Sequence, residues 1–431
     1  MISRLNKKIF IDNLTWYSLI FIVISFPIDF RVSNLGIITL CFACLLNFVN
    51  NASNFQFSIK NEKGLLMSLF LFFICYVFAI LFAENKIEAS NMLSRKMAII
   101  LLPILVLTLK IEETKIHKLL NYYIYSLCVF TMVLLANSIA SYFMKGKILL
   151  FHDFVELLNQ HAIYYAYFLS LAIVLLHKQV VFGALRGWQL YLKSFCFAVL
   201  WTGLFFCSSK NVLITTIIAT ILLHFVELQK QKIKVKPVLV MIASFIILLL
   251  VSLQIDGFRN RITSVTNVSG IEVIHKMDEG LKLDNDDVNT LNGITVRWMM
   301  WKIGIEKLKE ENQLLFGLNP GDSRSKINEK LEEYGLLYYY KDYDMHNQFI
   351  QVLVQLGIVG SLLFFFLNFT IINYAIKSKN YILLIFVICL IIFQMTESLL
   401  ERNKGIVFAF FFISLLASLG KNANENRNIR N

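Results

Sequence analysis

Tyr343-Asp344-Met345-His346-Asn347-Gln348, followed at once by Phe349-Ile350-Gln351-Val352-Leu353-Val354-Gln355-Leu356-Gly357-Ile358-Val359-Gly360, is the stretch on which the reading of this chain turns. The polar segment 255–346 ends here and a long apolar run begins. Histidine and asparagine therefore stand where water meets membrane, at the mouth of a hydrophobic helix. On a helix turning by about 100° per residue, Leu353, Gly357 and Gly360 fall within about 40° of His346. Glycines on such a stripe let a second helix approach closely. The pattern predicts an imidazole clamped beside a neighbouring membrane helix.

Outward from this stretch the class of protein is set by composition. Apolar residues make up 57% of the 431, charged residues 16%, and phenylalanine occurs 38 times. Largely apolar runs of about eighteen residues or more recur, long enough to cross a hydrocarbon core of about 30 Å. A soluble chain of this length carries more charge and more amphipathic periods. The expected fold is all-α, a polytopic transmembrane bundle of about twelve spans, near residues 14–30, 34–50, 65–83, 93–109, 119–143, 160–177, 188–206, 210–227, 237–254, 347–375, 379–395 and 403–420. Residues 1–254 then hold spans one to nine, 255–346 a large, mainly helical periplasmic loop, and 347–420 the last three spans. The polar, asparagine-rich tail 421–431 reads as disordered and cytoplasmic.

A net charge of +12 invites a nucleic-acid partner, but the basic residues gather in alternate short loops. With the N-terminus inside, about 20 lysines and arginines fall on the inner side and about 9 on the short outer segments. That asymmetry places both termini in the cytoplasm, turns 255–346 outward and removes the nucleic-acid reading. The seven cysteines lie in or beside apolar spans without disulfide or metal-ligand spacing and read as small buried hydrophobes. Arg4, Lys7 and Lys8 precede a first span that looks like a retained anchor. Span four, with Arg95 and Lys96 near its outer end and Pro103 interrupting it, is expected to be tilted, broken or partly buried in protein. No internal repeat is visible, which weakens an inverted-repeat transporter.

Within the outer segment, 297–312 reads as an amphipathic helix with interfacial aromatics, 315–322 as turn material and about 324–335 as a second short helix. These features together resemble the O-antigen ligase and polymerase superfamily, polytopic enzymes that transfer glycans from undecaprenyl diphosphate. The resemblance rests on His346-Asn347 followed by Gly357 and Gly360, and on Arg297 opening a tryptophan-containing helix that leads to Gly317 and Gly321. The longest outer loop immediately precedes the His-Asn signature, as in that family, and the likeness covers roughly residues 150–420. It implies a metal-independent, cofactor-free glycosyltransferase of the inner membrane. Its donor would be an undecaprenyl-diphosphate-linked glycan. Its acceptor would be lipid A-core in a ligase, the preferred version, or a second lipid-linked glycan in a polymerase.

The chemistry can be argued independently. Sugar transfer from a lipid diphosphate needs an acceptor hydroxyl positioned or deprotonated, and a leaving diphosphate stabilised. An imidazole serves the first need near neutral pH, either as base or as positioning group, and His346 is the candidate. Cations serve the second, and Arg297 and Lys210 are the candidates. Related proteins often carry arginine where Lys210 follows Cys207-Ser208-Ser209; lysine keeps the charge and loses the bidentate fork. Arg95, Lys96, Arg259 and Arg261 are reserves for that role. Asn347 reads as a helix cap or an orienting neighbour. Asn159 and His161 either line the acceptor site or cap an interface. Glu397 either pairs with Lys210 or Arg402, or positions a hydroxyl. Gly357 and Gly360 are structural on any reading. Asp284-Asn285-Asp286 resembles a metal-binding acidic motif but lacks the flanking strands and reads as solvated loop.

A lipid-linked glycan flippase or other transporter is the competing class. Many spans and interior charges suit it. A single oversized outer loop feeding a His-Asn helix does not, because a flippase needs no reacting group on one side.

Overall fold

The computed structural model describes residues 2–50, 62–109, 111–183, 185–228, 254 and 270–428. Ten α-helices are described before residue 229: α1 Ile2–Ser25, α2 Phe30–Asn50, α3 Lys63–Leu81, α4 Lys86–Lys96, α5 Ala98–Thr108, α6 Glu113–Lys145, the short α7 His152–Val155, α8 Ala162–Phe182, α9 Trp188–Phe206 and α10 Lys210–Leu228. The described part of 255–346 holds α11 Ile271–Asp278, α12 Asn285–Thr290, α13 Gly293–Glu310, α14 Ser323–Glu333 and α15 Leu337–Tyr340. The chain then returns through α16 Gln348–Lys377, α17 Tyr381–Gln394 and α18 Asn403–Asn428. No strand occurs among the described residues. Nine segments among them are long and apolar enough to cross a membrane, while the apolar parts of α17 and α18 are shorter. The chain is a polytopic, all-helical membrane protein. Residues 237–253 of the ninth expected span, with Arg259 and Arg261, fall outside the described residues.

Hydrophobicity on all sides decides which helices lie innermost. Every residue of α8 from Tyr164 to His177 is buried, as is α18 from Gly405 to Ser418. Between them Phe168 and Phe408 meet at 4.6 Å between ring centroids, and Tyr123 of α6 meets Phe412 at 4.7 Å. Around this pair, α18 packs on α5, α8 on α9 and α10, α17 on α10, and α16 on α3. The first span ends earlier than expected, at Ser25, because Pro27 disfavours helix at the residue before it and cannot donate to the next turn. In span four α4 and α5 run on through Met97, which keeps helical φ/ψ of −55° and −32°, and Pro103 lies within α5 without ending it. The tail expected to be disordered continues α18 to Asn428.

The helices between α10 and α16 form a cap with its own core, in which Met299, Met300 and Ile303 of α13 meet Ile327 and Leu331 of α14 and Val354 of α16. α13 starts at Gly293, earlier than its amphipathic pattern implies, because Asn292 and Thr295 form a reciprocal capping box. Asp284 caps α12 in the same way, and Asp287 pairs with Lys276 of α11 at 2.5 Å. The motif Asp284-Asn285-Asp286 is therefore exposed to solvent as expected, but it caps and opens a helix rather than forming a loop.

The glycine stripe does something other than expected. His346 lies outside the helix, so it shares no helical face with Gly357. Gly357 itself is non-helical, with φ 63° and ψ −162°, and divides α16. No second helix fills the gap; the turn 314–318 does. The carbonyls of Leu314 and Leu315 accept the N–H groups of Ile358 (3.0 Å) and Val359 (3.2 Å), and Leu318 N–H donates to the Val354 carbonyl (2.8 Å). A Cβ on Gly357 would stand 2.4 Å from the Leu315 carbonyl, and one on Gly317 (φ 79°) 2.4 Å from the Gln355 backbone. At Gly360 the nearest obstacle is within the same helix: a Cβ there would strike Leu356 one turn back, at 2.1 Å.

Gly317→Ala and Gly357→Ala are each expected to lower stability by about 2–5 kcal/mol, combining the left-handed backbone with overpacking against main chain. Gly64→Ala, where an added Cβ meets nothing within 4 Å, is expected to be neutral or slightly stabilising. Thermal unfolding of the detergent-purified variants checks the contrast; equal midpoints for all three would show that the turn does not seat in the helix break.

Candidate functional site

The site grows from the residues just ahead of α16. Asn347 is extended, and its Oδ1 accepts the N–H groups of Phe349 (2.9 Å) and Ile350 (3.2 Å), so it is the N-cap. His346 is driven into the left-handed region, at φ 45°. Three neighbours hold it there. Asp344 Oδ1 accepts the His346 N–H at 2.9 Å, Gln351 Oε1 accepts the Met345 N–H at 2.9 Å, and Trp301 Nε1–H donates to the Met345 carbonyl at 2.7 Å. A non-glycine residue held at positive φ costs on the order of 1–3 kcal/mol and persists where its surroundings over-determine it, often at functional sites.

The imidazole is 22% exposed and Nδ1 lies 3.1 Å from Glu397 Oε2. Glu397, 7% exposed, turns its other oxygen to Arg297 at 3.4 Å. Arg297 NH1 also donates to the Gly293 carbonyl at 2.7 Å, fixing the guanidinium over the first turn of α13. The partners of Glu397 are thus His346 and Arg297, not the expected Lys210 or Arg402. Because a carboxylate only accepts, the proton belongs on Nδ1, leaving Nε2 to accept from another group. Asp344 Oδ1 lies 3.8 Å from Nε2, outside hydrogen-bond range but close enough to act by charge. Burial pulls the imidazole pKa down, the bond to Glu397 and the charges of Asp344 and Glu397 raise it, and Arg297 opposes them. The net position is above the ordinary 6.5.

These groups line a cavity of about 600 Å³ between the cap and the ends of α8, α10 and α17. Arg297, Trp298, Tyr343, His346 and Glu397 form one wall. His152, His161 and the Ser208-Ser209-Lys210 turn form another. Lys210 is the first residue of α10, where the positive end of the helix dipole adds to its ammonium; the two together favour an anion. Nε of Arg297 and Nδ1 of His161 are buried with no hydrogen-bond partner among the described residues. The His161 ring packs against that of His152, centroids 4.5 Å apart, and burial, then the positive charge His152, Arg402 and His346 can carry, pushes its pKa down to about 3. It is a neutral wall of the cavity at any ordinary pH.

Four of the expected site residues thus meet at one cavity with Glu397. Two do not line it. Asn159 donates to Asp29 Oδ2 at 2.7 Å and ties the α7–α8 connection to the α1–α2 turn. Asn347 is spent on its cap. Of the reserve cations, Arg95 pairs with Glu88 at 3.2 Å and Lys96 with Glu401 at 2.7 Å. Trp301, Asp344 and Tyr343 belong to the site and were not singled out from sequence. Trp301 stands one turn after Arg297 on the same helical face, and Asp344 two residues before His346, the spacing of a side-chain turn; both signals are legible in retrospect. Among the described residues no cluster of three or more His, Cys, Asp or Glu side chains is placed to hold a metal.

A cavity lined by Arg297, Lys210, a carboxylate-oriented histidine and the neutral His161 suits transfer onto a hydroxyl from an anionic leaving group. Residues 195–365 match the family model described as O-antigen ligase. That segment is similar to an O-antigen ligase domain. This domain includes Lys210, Arg297, His346, Gly357 and Gly360, while Glu397 and His161 reach the cavity from outside the matched segment. No curated protein matches the chain. The match supports an O-antigen ligase/polymerase-type membrane enzyme.

Glu397→Gln removes the charge that raises the His346 pKa, so the midpoint of imidazole protonation is expected to fall and the neutral fraction near pH 6.5–7 to rise. Peptide-resolved histidine modification across pH reads this directly. An unchanged or raised midpoint would remove Glu397 from the electrostatics of His346.

Proposed function

We propose that the protein transfers a glycan from undecaprenyl diphosphate to an acceptor hydroxyl at the periplasmic face of the bacterial inner membrane, with both termini in the cytoplasm. The observation that carries this reading is the convergence of Lys210, Arg297, His346 and Glu397 on one cavity at the end of the bundle. The positive-inside charge count supports the orientation.

In this reading His346 Nε2 takes the proton of the acceptor hydroxyl as its oxygen forms the new bond to the anomeric carbon. The bond from that carbon to the diphosphate oxygen breaks, and its electron pair leaves with undecaprenyl diphosphate. Arg297 and Lys210 hold the charge that grows on the leaving group, Arg297 with a fork matched to phosphate oxygens. Glu397 keeps the proton on Nδ1 and stabilises the imidazolium that forms. The same carboxylate strengthens the base and moves the pH at which it is available upward. Transfer is therefore expected to rise with pH through a midpoint above 6.5, lost on the acid side as His346 protonates.

The acceptor in the preferred version is lipid A-core, giving a ligase; a polymerase would use a second lipid-linked glycan in the same cavity. A strain lacking the protein separates them. Loss of a ligase leaves full chains on the lipid carrier, whereas loss of a polymerase leaves single units attached to core. A flippase is a poorer account of a histidine held at positive φ by Asp344, Gln351 and Trp301, since translocation alone asks for no oriented base.

With purified protein and a defined lipid-linked donor, His346→Ala is expected to abolish transfer at near-normal protein levels. Arg297→Ala should lower it by about 10²–10³-fold, the scale of one lost charge-stabilising donor. Lys210→Arg should be far milder than Lys210→Ala. Substantial transfer by His346→Ala would sink the catalytic assignment, and equal losses for the two Lys210 variants would point to packing.

A further inference from the structure

A line of tyrosine rings runs from the outer surface of the cap to the imidazole. Tyr338 contacts Tyr339 (centroids 5.2 Å apart), Tyr339 contacts Tyr340 (6.4 Å), Tyr340 contacts Tyr343 (5.6 Å) and Tyr343 contacts His346 (4.7 Å). Tyr338 is 90% exposed and Tyr339 42% exposed, although both sit in an ordered turn of helix. The line is anchored rather than loose. Tyr340 packs against the cap core, and Tyr339 donates its phenol proton to Asn285 Oδ1 at the start of α12. At its inner end Tyr343 forms part of the cavity wall.

From this we infer that Tyr338, Tyr339 and Tyr343 form a saccharide-binding track that carries the glycan of the acceptor towards His346. The inference rests on the transferase reading and deepens it. A pyranose presents an apolar C–H face with a rim of hydroxyls, and tyrosine presents an apolar ring with a polar tip, so stacked rings bind sugars without demanding one sequence of them. The occupant is the acceptor because the track ends on the imidazole that receives the acceptor proton, whereas Lys210 marks the diphosphate end from the opposite wall. An interfacial aromatic belt would spread rings around the bundle at one depth. These four follow a single path into the cavity instead.

The test uses full-length protein and oligosaccharides released from the parent cell's own surface glycan, fractionated by length. Binding in detergent and acceptor KM are both measured for wild type, Tyr338→Ala, Tyr338→Ala/Tyr339→Leu and Tyr338→Trp. Wild type is expected to bind longer fractions more tightly than the monosaccharide. Each lost ring should weaken binding of the longer fractions and raise their acceptor KM by about twofold to tenfold, with monosaccharide binding unchanged. Tyr338→Trp should retain the length dependence. Equal binding by wild type and the double variant would overturn the track, as would equal weakening of short and long fractions. A lowered unfolding midpoint in lipid discs with unchanged saccharide binding would assign the rings to the membrane interface and likewise overturn it. Length-dependent binding that needs Tyr338, in a wild-type protein that transfers nothing to any fraction, would leave the track standing and remove the transferase reading.

Discussion

The arrangement depends on one contact between two stretches of backbone, the turn 314–318 seated in the break of α16 at Gly357. A helix interrupted inside a membrane protein leaves amide groups that water cannot reach, and each must find a partner. Here Ile358 and Val359 find theirs on the carbonyls of Leu314 and Leu315, while Val354 accepts from Leu318. The contact is possible only because both Gly317 and Gly357 lack a Cβ. Further along the same loop Asp322 accepts the N–H groups of Glu84 and Asn85, both at 2.8 Å, tying the cap to the α3–α4 turn. The cap is thereby fixed to two separate parts of the bundle, and Arg297, which it carries, acquires a definite position over the cavity.

Electrostatics then follow from where the cap sets its charges. Glu397 is nearly inaccessible, so its attraction for Arg297 and His346 acts through protein rather than through water. A buried carboxylate with one partner would be costly; with two it is shared between a permanent cation and a titratable one. Arg297 keeps unused donor capacity, including the buried Nε, and so can hold Glu397 and still meet an anion. Lys210 contributes from the other wall at a helix end that is already positive, where its charge and the helix dipole act in the same direction.

Much of this was legible in the chain. The apolar runs gave an all-helical membrane bundle, in which nine described segments rather than twelve are long and apolar enough to cross, and the polar stretch before Tyr343 gave a group of short helices. The types of residue needed for the chemistry singled out His346, Arg297 and Lys210, which the fold brings to one cavity although Lys210 and His346 lie far apart in sequence. The mistakes have a common physical origin. Helical periodicity was extended through Gly357 and back to His346, but Asn347 already ends the helix and Gly357 divides it, so the shared face never exists. Sequence also shows which carboxylates are available without showing which cation reaches them. Glu397 could be paired on paper with Lys210 or Arg402, while the cation that reaches it is carried by a cap whose position depends on long-range backbone contacts. Asn159 had the right composition and the right end of the bundle, yet Asp29 claims it.

Lys96 shows how a residue read as a spare phosphate ligand becomes a support. Its ammonium is buried, bonded to the Leu400 carbonyl and to Glu401, and lies over the ring of Tyr76 at 5.0 Å. Gln355 donates to the second oxygen of Glu401 at 3.0 Å, and Gln348 accepts the Leu400 N–H at 2.6 Å. Burial alone would raise the pKa of Glu401; the charge and hydrogen bond of Lys96, with the bond from Gln355, bring it below the ordinary range instead. Breaking a buried pair from one side costs about 3–5 kcal/mol, far more than a surface pair, because the remaining charge is stranded. Those bonds close the short connection between α17 and α18 onto both α4 and α16. Glu397 sits in that connection, four residues before Glu401, and His346 sits two residues before Gln348. The buried ion pair therefore fastens together the two segments from which the carboxylate and the imidazole project, and a cation at Lys96 is explained without any ligand.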